Sequence, residues 1–400
     1  MIYWIWLQQA LGQGSNRLSF IMSKFSSPEK VYSVGDEGRR ASGIFNEREL
    51  RLFSNTPLQK AKDIYEKCIR ENITVITPDM PVFPEMLKNI PDPPFVLYVK
   101  GRFPDFDNTP AMCIVGPRKV SDYGYKCAYS LGGRLSRAGF IIVSGGAIGS
   151  DTAAHQGALL NGGITVAVLA NGFGDNYLVQ NEALRNEIKE RGCLITEYPP
   201  DTKVNKGSFH YRNRIMSGLS HGVIVVEAAE KSGTIITANR AAEQNRDVFV
   251  IPGTPSLPQY AGSNKLLRDG AKPLTELDDI FCEYKSRLGG KINIENATSK
   301  PLAKMVKYMP EKKTQKKIHT PKSVENKSLK TDSVQINKKI LPEGLSKNAK
   351  IIYNQLDKQI FTCDDLLSPT MNSNNILSAL GELELFGFIK ALPGGRYTLI

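Results

Sequence analysis

Between residues 111 and 285, short apolar runs alternate with longer amphipathic stretches. The apolar runs are rich in Val and Ile and have the length of buried strands, while the stretches between them show helical periodicity. Strands that alternate with helices in this way predict a Rossmann-like α/β fold with a doubly wound, mainly parallel sheet. The strands are predicted at Met112–Val115, Phe140–Val143, Thr165–Leu169, Leu194–Thr196, Val223–Val226 and Val248–Ile251. The helices are predicted near 123–138, 152–161, 180–191, 212–220 and 233–244.

Different patterns flank this region, which is predicted to be one domain over 111–285. Residues 1–70 show short helical periodicities, typical of an N-terminal helical domain of the SAM or helix-hairpin-helix kind. Residues 71–110 hold two strand-like runs separated by prolines and are interpreted as a lead-in segment. Residues 341–400 show three helical patterns and then a glycine hairpin, which is the order of a winged helix. The N-terminal helices are predicted at Ile2–Leu11, Arg17–Phe25, Pro28–Val34, Glu47–Phe53 and Leu58–Glu71, and the C-terminal ones at Ser346–Leu356, Thr362–Leu367 and Ser373–Phe386.

The positive charge of the chain is concentrated in one segment. The formal net charge is +12, and the stretch from Arg287 to Lys339 holds fourteen basic and four acidic residues, a net +10. A lysine-rich stretch with few apolar residues buries too little surface to fold, so residues 286–340 are predicted to be a basic disordered linker. This linker either is simply solvated or acts as an electrostatic tether that raises the local concentration of nucleic acid.

Cysteine usage and hydropathy indicate a cytoplasmic protein. The six cysteines have no C-x-x-C spacing, and several stand in apolar runs, so they are interpreted as reduced core residues rather than disulfides or zinc ligands. The apolar start of the chain lacks the basic segment and the cleavage site of a signal peptide, and it is predicted to begin the first helix. Because no apolar run has the length of a membrane span, no membrane association is expected.

The first candidate binding motif is IIVSGGAIGSDTAAH at 141–155. A β-branched run ends at Ser144, two glycines follow, and an alanine-rich helix begins near Asp151. Such a turn leaves several backbone N–H groups free at a helix N-terminus, where the helix dipole adds partial positive charge. The motif therefore predicts a phosphate site at Gly145 and Gly146.

Other chemistry is less compatible with this motif. Its glycines read G-G-x-x-G rather than G-x-G-x-x-G, and no acidic residue follows the next strand, so NAD or FAD is not expected. Asp151 and His155 could form a metal or acid–base pair, but Asp151 is interpreted as a helix cap and His155 as a buried, hydrogen-bonded side chain. No His and Cys cluster offers a metal site. We therefore predict no catalytic residue, no metal and no cofactor.

The second candidate motif is KVNKGSFHYRNRIMSGLSH at 203–221, interpreted as a loop that leads into a helix. Four cations surround two aromatic residues in it. Single-stranded nucleic acids need both, because cations bind the phosphates and a flat ring stacks on an unstacked base. The alternative is that the rings belong to the core and the charges to the surface. The cations are Lys203, Lys206, Arg212 and Arg214, and the rings are Phe209 and Tyr211.

Three further features bear on nucleic-acid binding. Arg118 ends the first strand of the α/β region, so we expect it on the same rim as the 144–146 turn, where the two would bind a chain of phosphates. The break Gly12-Gln13-Gly14 resembles a helix-hairpin-helix turn, which either holds a DNA phosphate or simply joins two helices. The third C-terminal helix carries two acids and no Lys or Arg over 373–384, which favours a protein-contact or structural role.

Taken together, these motifs resemble the bacterial DNA-processing protein A (DprA/Smf) family. The resemblance is strong over about residues 65–275 and looser over 1–64 and 341–400. The matching motifs, in order, are IVGPRKVSDYG (114–124), SGGAIGSDTAAHQGAL (144–159), EYPP (197–200), FHYRNRIMSGLS (209–220), VVEAAEKSGTIITANRAAEQNRDVFVIPG (225–253) and GSNKLLRDGA (262–271).

The resemblance implies a non-enzymatic protein that binds and protects single-stranded DNA. It also implies that the protein helps to load the recombinase RecA during natural transformation (competence) and homologous recombination, and that its Rossmann-like core forms a homodimer. The alternative is a nucleoside-monophosphate phosphoribohydrolase of the same superfamily, whose P-G-G-x-G-T-x-x-E motif carries a glutamate used in hydrolysis. The comparable stretch here, 252–256, lacks that glutamate.

Matching the family motifs residue by residue assigns the expected DNA contacts. Phe209 corresponds to the base-stacking aromatic, and Ile148 and Ser150 depart from the family pattern, which usually has a basic residue and an isoleucine there. Tyr177-Leu178 replaces the family's Tyr-Pro. The expected phosphate and strand contacts are Arg118, Ser144, Gly145, Gly146, Lys206, Arg212 and Asn213.

Overall fold

The computed structural model describes residues 1–175, 177, 179–303, 345–356, 360–362, 366, 373–386, 388–392 and 396–399. The chain divides into two compact units, Met1–Thr314 and Gln315–Ile400. Most of the predicted basic linker, from residue 304 to 340, lies outside the described residues.

The first unit is built on a nine-stranded sheet with the order β1-β2-β6-β5-β4-β3-β7-β8-β9. All neighbouring pairs from β6 to β9 are parallel, while β1 and β2 add to the β6 edge as antiparallel strands. The chain runs outward from β3 to β6 and then returns to the other side of β3 with β7, so its direction of winding reverses beside β3. The strands are β1 (Thr74–Ile76), β2 (Leu97–Gly101), β3 (Ala111–Val115), β4 (Ile141–Ser144), β5 (Thr165–Leu169), β6 (Cys193–Thr196), β7 (Gly222–Val225), β8 (Asp247–Val250) and β9 (Lys272–Pro273).

Helices cover both faces of this sheet, because successive strand residues point to opposite sides. Cys113 of β3 packs in one core with Ile215, while the preceding residue Met112 packs in the other core with Ala154 and Phe281. The helices of the α/β part are α8 (Asp122–Arg137), α9 (Ser150–Leu160), α10 (Glu182–Arg191), α11 (Lys206–Gly218), α12 (Gly233–Glu243), α13 (Ala261–Arg268), α14 (Asp278–Leu288) and α15 (Ile294–Thr298). The prediction of a mainly parallel, Rossmann-like α/β fold is therefore confirmed.

The N-terminal helices form a third apolar cluster, which includes residues of β1 and β2. Trp4 and Trp6 of the first helix are both buried there, and the rings of Trp6 and Phe53 lie 5.2 Å apart. Leu87 of α7 packs instead in one core of the main sheet. The helices of residues 1–110 are α1 (Ile2–Leu11), α2 (Leu18–Phe25), α3 (Pro28–Ser33), α4 (Gly35–Ala41), α5 (Glu47–Ser54), α6 (Leu58–Arg70) and α7 (Glu85–Lys88). The sequence had no prediction for α4 and α7.

A buried polar network joins these helices to the α/β part. Arg214 of α11 is fully buried and donates to both carboxylate oxygens of Glu197, at 2.7 and 2.8 Å. Gln8 of α1 donates to the Glu197 carbonyl and accepts from the hydroxyl of Tyr98, and the Gly14 amide donates to the Glu197 carboxylate. Burial raises the pKa of the Glu197 carboxyl, and the Arg214 charge opposes that rise.

Two stretches differ from their sequence-based interpretation. Residues 71–110 are more than a lead-in segment, because β1 and β2 belong to the main sheet. Residues 286–303 were predicted to begin the disordered linker, but α15 packs on α8 with Ala297 fully buried. The Tyr129 hydroxyl also donates to the Ala303 carbonyl at 2.8 Å.

The second unit contains two described helices and a three-stranded antiparallel sheet with the order β10-β12-β11. Its core includes Ile352, Tyr353, Leu380 and Leu383. The predicted helix at 362–367 lies mainly outside the described residues, and Thr362 itself ends a strand. The elements are α16 (Lys347–Gln355), β10 (Ile360–Thr362), α17 (Ser373–Leu385), β11 (Ile389–Leu392) and β12 (Arg396–Leu399).

Within the described ranges, no helix is long and apolar enough to cross a bilayer. The five described cysteines are free thiols, and three of them, Cys68, Cys113 and Cys193, are buried as the sequence pattern predicted. Burial raises the pKa of the Cys68 thiol to about 11.

Arg214→Met should lower the free energy of unfolding by about 3–5 kcal/mol, because it leaves the Glu197 carboxylate buried without its partner. The measurement is urea unfolding followed by tryptophan fluorescence, since both tryptophans, Trp4 and Trp6, lie in the N-terminal cluster that this network anchors. The matched control is Arg240→Met, which removes a more exposed pair with Glu243. A loss of equal size in the control would contradict the assignment.

Candidate nucleic-acid interface

A cleft of about 340 Å³ opens at the carboxyl edge of the sheet, beside β3. Its walls are the β3–α8 loop, the β4–α9 turn, α11 and the N-terminal end of α12. This is the edge and the reversal point at which open α/β sheets bind ligands. The lining residues that matter for its chemistry are Gly116, Arg118, Ala147, Asp151, Phe209, Arg212, Asn213 and Thr234.

Arg118 and Phe209 meet at the mouth of this cleft. The Arg118 side chain is exposed, and its guanidinium carbon lies 5.2 Å from the centre of the Phe209 ring and 5.7 Å from that of Tyr177. The centres of the two rings are 5.8 Å apart. One cation therefore lies against two aromatic rings, whereas the sequence predicted only that Arg118 shares a rim with the 144–146 turn.

Sequence reasoning did not select Tyr177 as a site residue. The signal was available, because Tyr177 stands at the position of the family's Tyr-Pro motif. Only the departure at Leu178 was noted, and that residue lies outside the described part of the chain.

The motif at 203–221 is a helix from Lys206 onward and not a loop. Asn205 accepts a hydrogen bond from the Ser208 amide at 3.0 Å, and the Ser208 hydroxyl accepts one from the Asn205 amide at 3.3 Å. This capping box fixes the start of α11 six residues earlier than predicted, at Lys206. Lys206 is exposed in its first turn.

The two arginines of this motif are inside the protein, and its rings are nearer the surface. Arg212 is buried, and Arg214 lies in the network with Glu197. Phe209 is half-buried, whereas Tyr211 is 45% exposed. The motif therefore fits neither interpretation in full, because its two arginines are buried while Lys203 and Lys206 are exposed.

Arg212 binds the β4–α9 turn from within the protein and fixes its position. Its guanidinium donates to the Gly145 carbonyl at 2.8 Å and to the Val168 carbonyl, and its Nε donates to the Asn213 side-chain oxygen at 3.3 Å. Burial lowers the pKa of Arg212, and the neighbouring Asp151 carboxylate opposes that change. Arg212 and Asn213 line the cleft, but both are buried and bonded to the protein itself, and their assignment as DNA contacts stays a prediction.

Polar groups of the β4–α9 turn also form hydrogen bonds within the protein. The Asp151 carboxylate accepts from the Ala147 amide at 3.2 Å rather than capping α9, whose start has no side-chain cap. The Ser144 hydroxyl is fully buried and donates to the Ile114 carbonyl at 2.7 Å. Gly145 and Gly146 are buried too, so the turn presents fewer free donors than its sequence predicted.

His155 has the structural role that was expected of it. Its Nδ1 lies 2.7 Å from the Thr165 hydroxyl, which donates to the Ile142 carbonyl, so the Nδ1–H is the donor to Thr165. Burial, with a smaller contribution from Arg212, lowers the pKa of His155 to about 3, and the ring is neutral.

Among the described residues, two further features of this edge concern metal binding and the bonding of the buried Glu227 carboxylate. No group of three or more His, Cys, Asp or Glu side chains is arranged to hold a metal. The buried carboxylate of Glu227 accepts from the Ser121 amide at 3.1 Å, from the Ser121 hydroxyl and from the Tyr260 hydroxyl at 3.0 Å. Three donors satisfy this carboxylate within the fold.

Comparison with known proteins points to one family. Residues 74–285 match the model of DNA recombination-mediator protein A. The chain is 31% identical to Protein Smf of Synechocystis sp. over 99% of its own length and 98% of that protein. It is 42% identical to DNA processing protein DprA of Bacillus subtilis over 51% of its length and 69% of that protein. The crystal structure of DNA processing protein A from Streptococcus pneumoniae superposes with a TM-score of 0.60 at 31% identity, covering 71% of this chain and 98% of that one.

Gly145→Ala should destabilise the protein by about 1–3 kcal/mol, because a Cβ there would collide with the Arg212 guanidinium and lie 2.7 Å from an Asp151 carboxylate oxygen. Chemical denaturation measures the change. Gly233→Ala is the control, since a Cβ at Gly233 meets no atom within 4 Å. Equal stability of the two variants would show that Arg212 does not hold the turn.

Acid should weaken the fold through His155. Its pKa is about 3 in the folded protein against 6.5 for the free group, so between these values only the unfolded chain takes up the proton. Between pH 6.5 and about pH 3, this histidine should therefore lower the free energy of unfolding by about 1.4 kcal/mol for each unit by which the pH falls. Unfolding of His155→Gln should show a shallower pH slope than unfolding of the wild type. An unchanged slope in His155→Gln would contradict the argument.

Proposed function

Because the chain belongs to the DNA recombination-mediator protein A family, we propose that it binds single-stranded DNA at the carboxyl edge of its sheet. In this proposal it acts as a DNA-processing protein in natural transformation and homologous recombination, and it does not turn over a substrate. Family membership supports the DNA-processing role, and the geometry of the cleft supports the kind of nucleic acid.

The placement of Arg118 over Phe209 and Tyr177 carries the proposal. A guanidinium pairs with phosphates, and an aromatic face stacks on a base of any sequence. Both are needed for a single strand, whose bases are unstacked, and neither ring could reach a base inside a duplex. The cleft therefore suits single-stranded DNA better than double-stranded DNA.

The proposed contacts fall into two groups. Arg118, Lys206, Phe209 and Tyr177 would touch the strand, because their side chains reach the surface of the cleft or of the first turn of α11. Arg212 and Asp151 would act as positioning residues, since they fix the turn. In the second group we also place Ser144, Gly145, Gly146 and Asn213.

The flanking regions are proposed to serve assembly. The N-terminal helices would form a SAM-like domain, and the second unit would form a winged helix. Its two described helices and three-stranded sheet support that proposal. The exposed residues of α17 include Asn375, Ser378 and Glu384 and no cation, which supports a protein contact over DNA binding. The proposed partners, by family membership, are the recombinase RecA and a second copy of the chain, in the cytoplasm.

Binding of a labelled oligothymidine should weaken steeply with salt. Arg118→Ala and Lys206→Ala should each reduce the slope of log K against log salt by about 0.7, because each removes one phosphate contact on a single strand. Phe209→Ala should lower affinity about 5- to 150-fold, the loss expected for one stacked base. Fluorescence anisotropy over a salt series measures both quantities.

Lys285→Glu provides the control for charge. Lys285 is exposed on α14, next to Tyr284, which binds Asp247 at the start of β8 and thus at the opposite edge of the sheet. This variant should bind almost as the wild type does. Equal weakening in Lys285→Glu and Lys206→Glu, or release of free base from AMP by the purified protein, would contradict the proposal.

A further inference from the structure

A second groove in the first unit lies away from the Arg118–Phe209 cleft. It has a volume of about 600 Å³ and runs between the segment after α1, the start of α5, and one residue of α11, Tyr211. We call it the N-terminal groove. Its other lining residues are Leu11, Gln13, Gly14, Ser15, Asn16, Arg17, Ile44, Asn46, Arg48, Glu49 and Leu52.

The Tyr211 ring packs closely on Gly14 in this groove, because a glycine has no Cβ. Gly14 has φ +74°, and a Cβ there would collide with the ring, lying 2.8 Å from its Cε1 atom. The ring therefore lies directly on the backbone of the Gly12–Gly14 turn, and Tyr211 is still 45% exposed. This turn packs on α11 through Tyr211 and bonds Glu197 through the Gly14 amide, so it joins two parts of the unit while leaving one aromatic surface open.

The charge of the groove suits a polyanion. Its only acid among the described lining residues is Glu49, which pairs with Arg17 at 2.9 Å and caps the start of α5 by accepting from the Asn46 amide at 3.0 Å. Arg48 is exposed, and no described acidic side chain forms an ion pair with it. Gln13, Ser15 and Asn16 add neutral donors and acceptors, so one uncompensated cation, one open ring and several polar groups share the surface.

Helix α11 connects the groove to the proposed DNA site. Phe209 and Tyr211 are two residues apart, which places them about 3 Å apart along the helix axis and about 200° apart around it. A strand that passes from one ring to the other crosses the first turn of α11, where Lys206, Gly207 and His210 are exposed. The crossing is about 10–12 Å, the diameter of a helix, so it needs only a few nucleotides.

We propose that the N-terminal groove is a second binding segment for the same single strand, which passes over the first turn of α11 and stacks a base on Tyr211. Arg48 binds a phosphate in this segment. The proposal rests on the proposed function, because the strand enters the groove from the Arg118–Phe209 cleft. Its direct consequence is that long oligonucleotides gain affinity from residues that short ones do not reach.

The test compares oligothymidines of about 3 nucleotides, too short to contact both rings, and about 20 nucleotides on the full chain. Arg48→Glu should reduce the salt slope for the longer oligomer by about 0.7 and leave the shorter one unchanged. Tyr211→Ala should weaken only the longer oligomer, about fivefold or more, and Tyr211→Phe should keep the wild-type affinity. Arg51→Glu is the matched control, because Arg51 is exposed on the same helix, α5, but does not line the groove.

Separate outcomes identify which proposal fails. If the wild type binds neither oligomer, the proposed function is wrong. If both oligomers bind but Arg48→Glu behaves as Arg51→Glu does, or weakens the two lengths equally, the N-terminal groove does not hold the strand. Tyr211→Trp adds a direct readout, since Trp4 and Trp6 are buried, and its fluorescence should be quenched by the longer oligomer alone.

Discussion

The site depends on two guanidinium groups buried on one helix. Arg212 ties α11 to the β4–α9 turn and to the end of β5, and Arg214 ties it to Glu197 beyond the end of β6. A charge taken out of water is costly unless it is paired or hydrogen-bonded, so these bonds limit the positions that the helix can take. These two buried groups therefore determine where the side chains of α11 would contact the DNA strand in the proposed function.

Burying the arginines determines which side chains remain available for a ligand. With Arg212 and Arg214 used internally, the half-buried Phe209 and the exposed Tyr211 lie on either side of α11, and Lys206 stands at its tip. The attraction for phosphate then comes from the periphery, from Arg118 on the neighbouring loop and from Lys206. In the proposal, the Phe209 and Tyr177 rings at the mouth of the cleft stack on bases, while these cations bind the phosphates.

Local patterns predicted the strands and the type of sheet of the α/β part well, but not which strands pair. The six strands predicted between residues 111 and 285 are all present, whereas the 5.2 Å contact between Arg118 and Phe209 was not predicted. The pairing of β2 with β6 joins residues about a hundred positions apart, and no local periodicity encodes such a pair. The burial of Arg212 could not be predicted either, because its backbone acceptors lie in the β4–α9 turn and in β5, far away in the sequence. The early start of α11 was visible in Asn205 and Ser208 and was missed.

The two ends of the main sheet bear on how copies of the protein behave when crowded. Molecules gathered on one DNA strand reach a high local concentration, a condition under which open strand edges tend to pair and aggregate. Here the outer strands are short: β1 has three residues, and β9 has two, the second being Pro273, which has no amide hydrogen to donate. Such short outer strands offer almost no template for the addition of a strand from a neighbouring molecule.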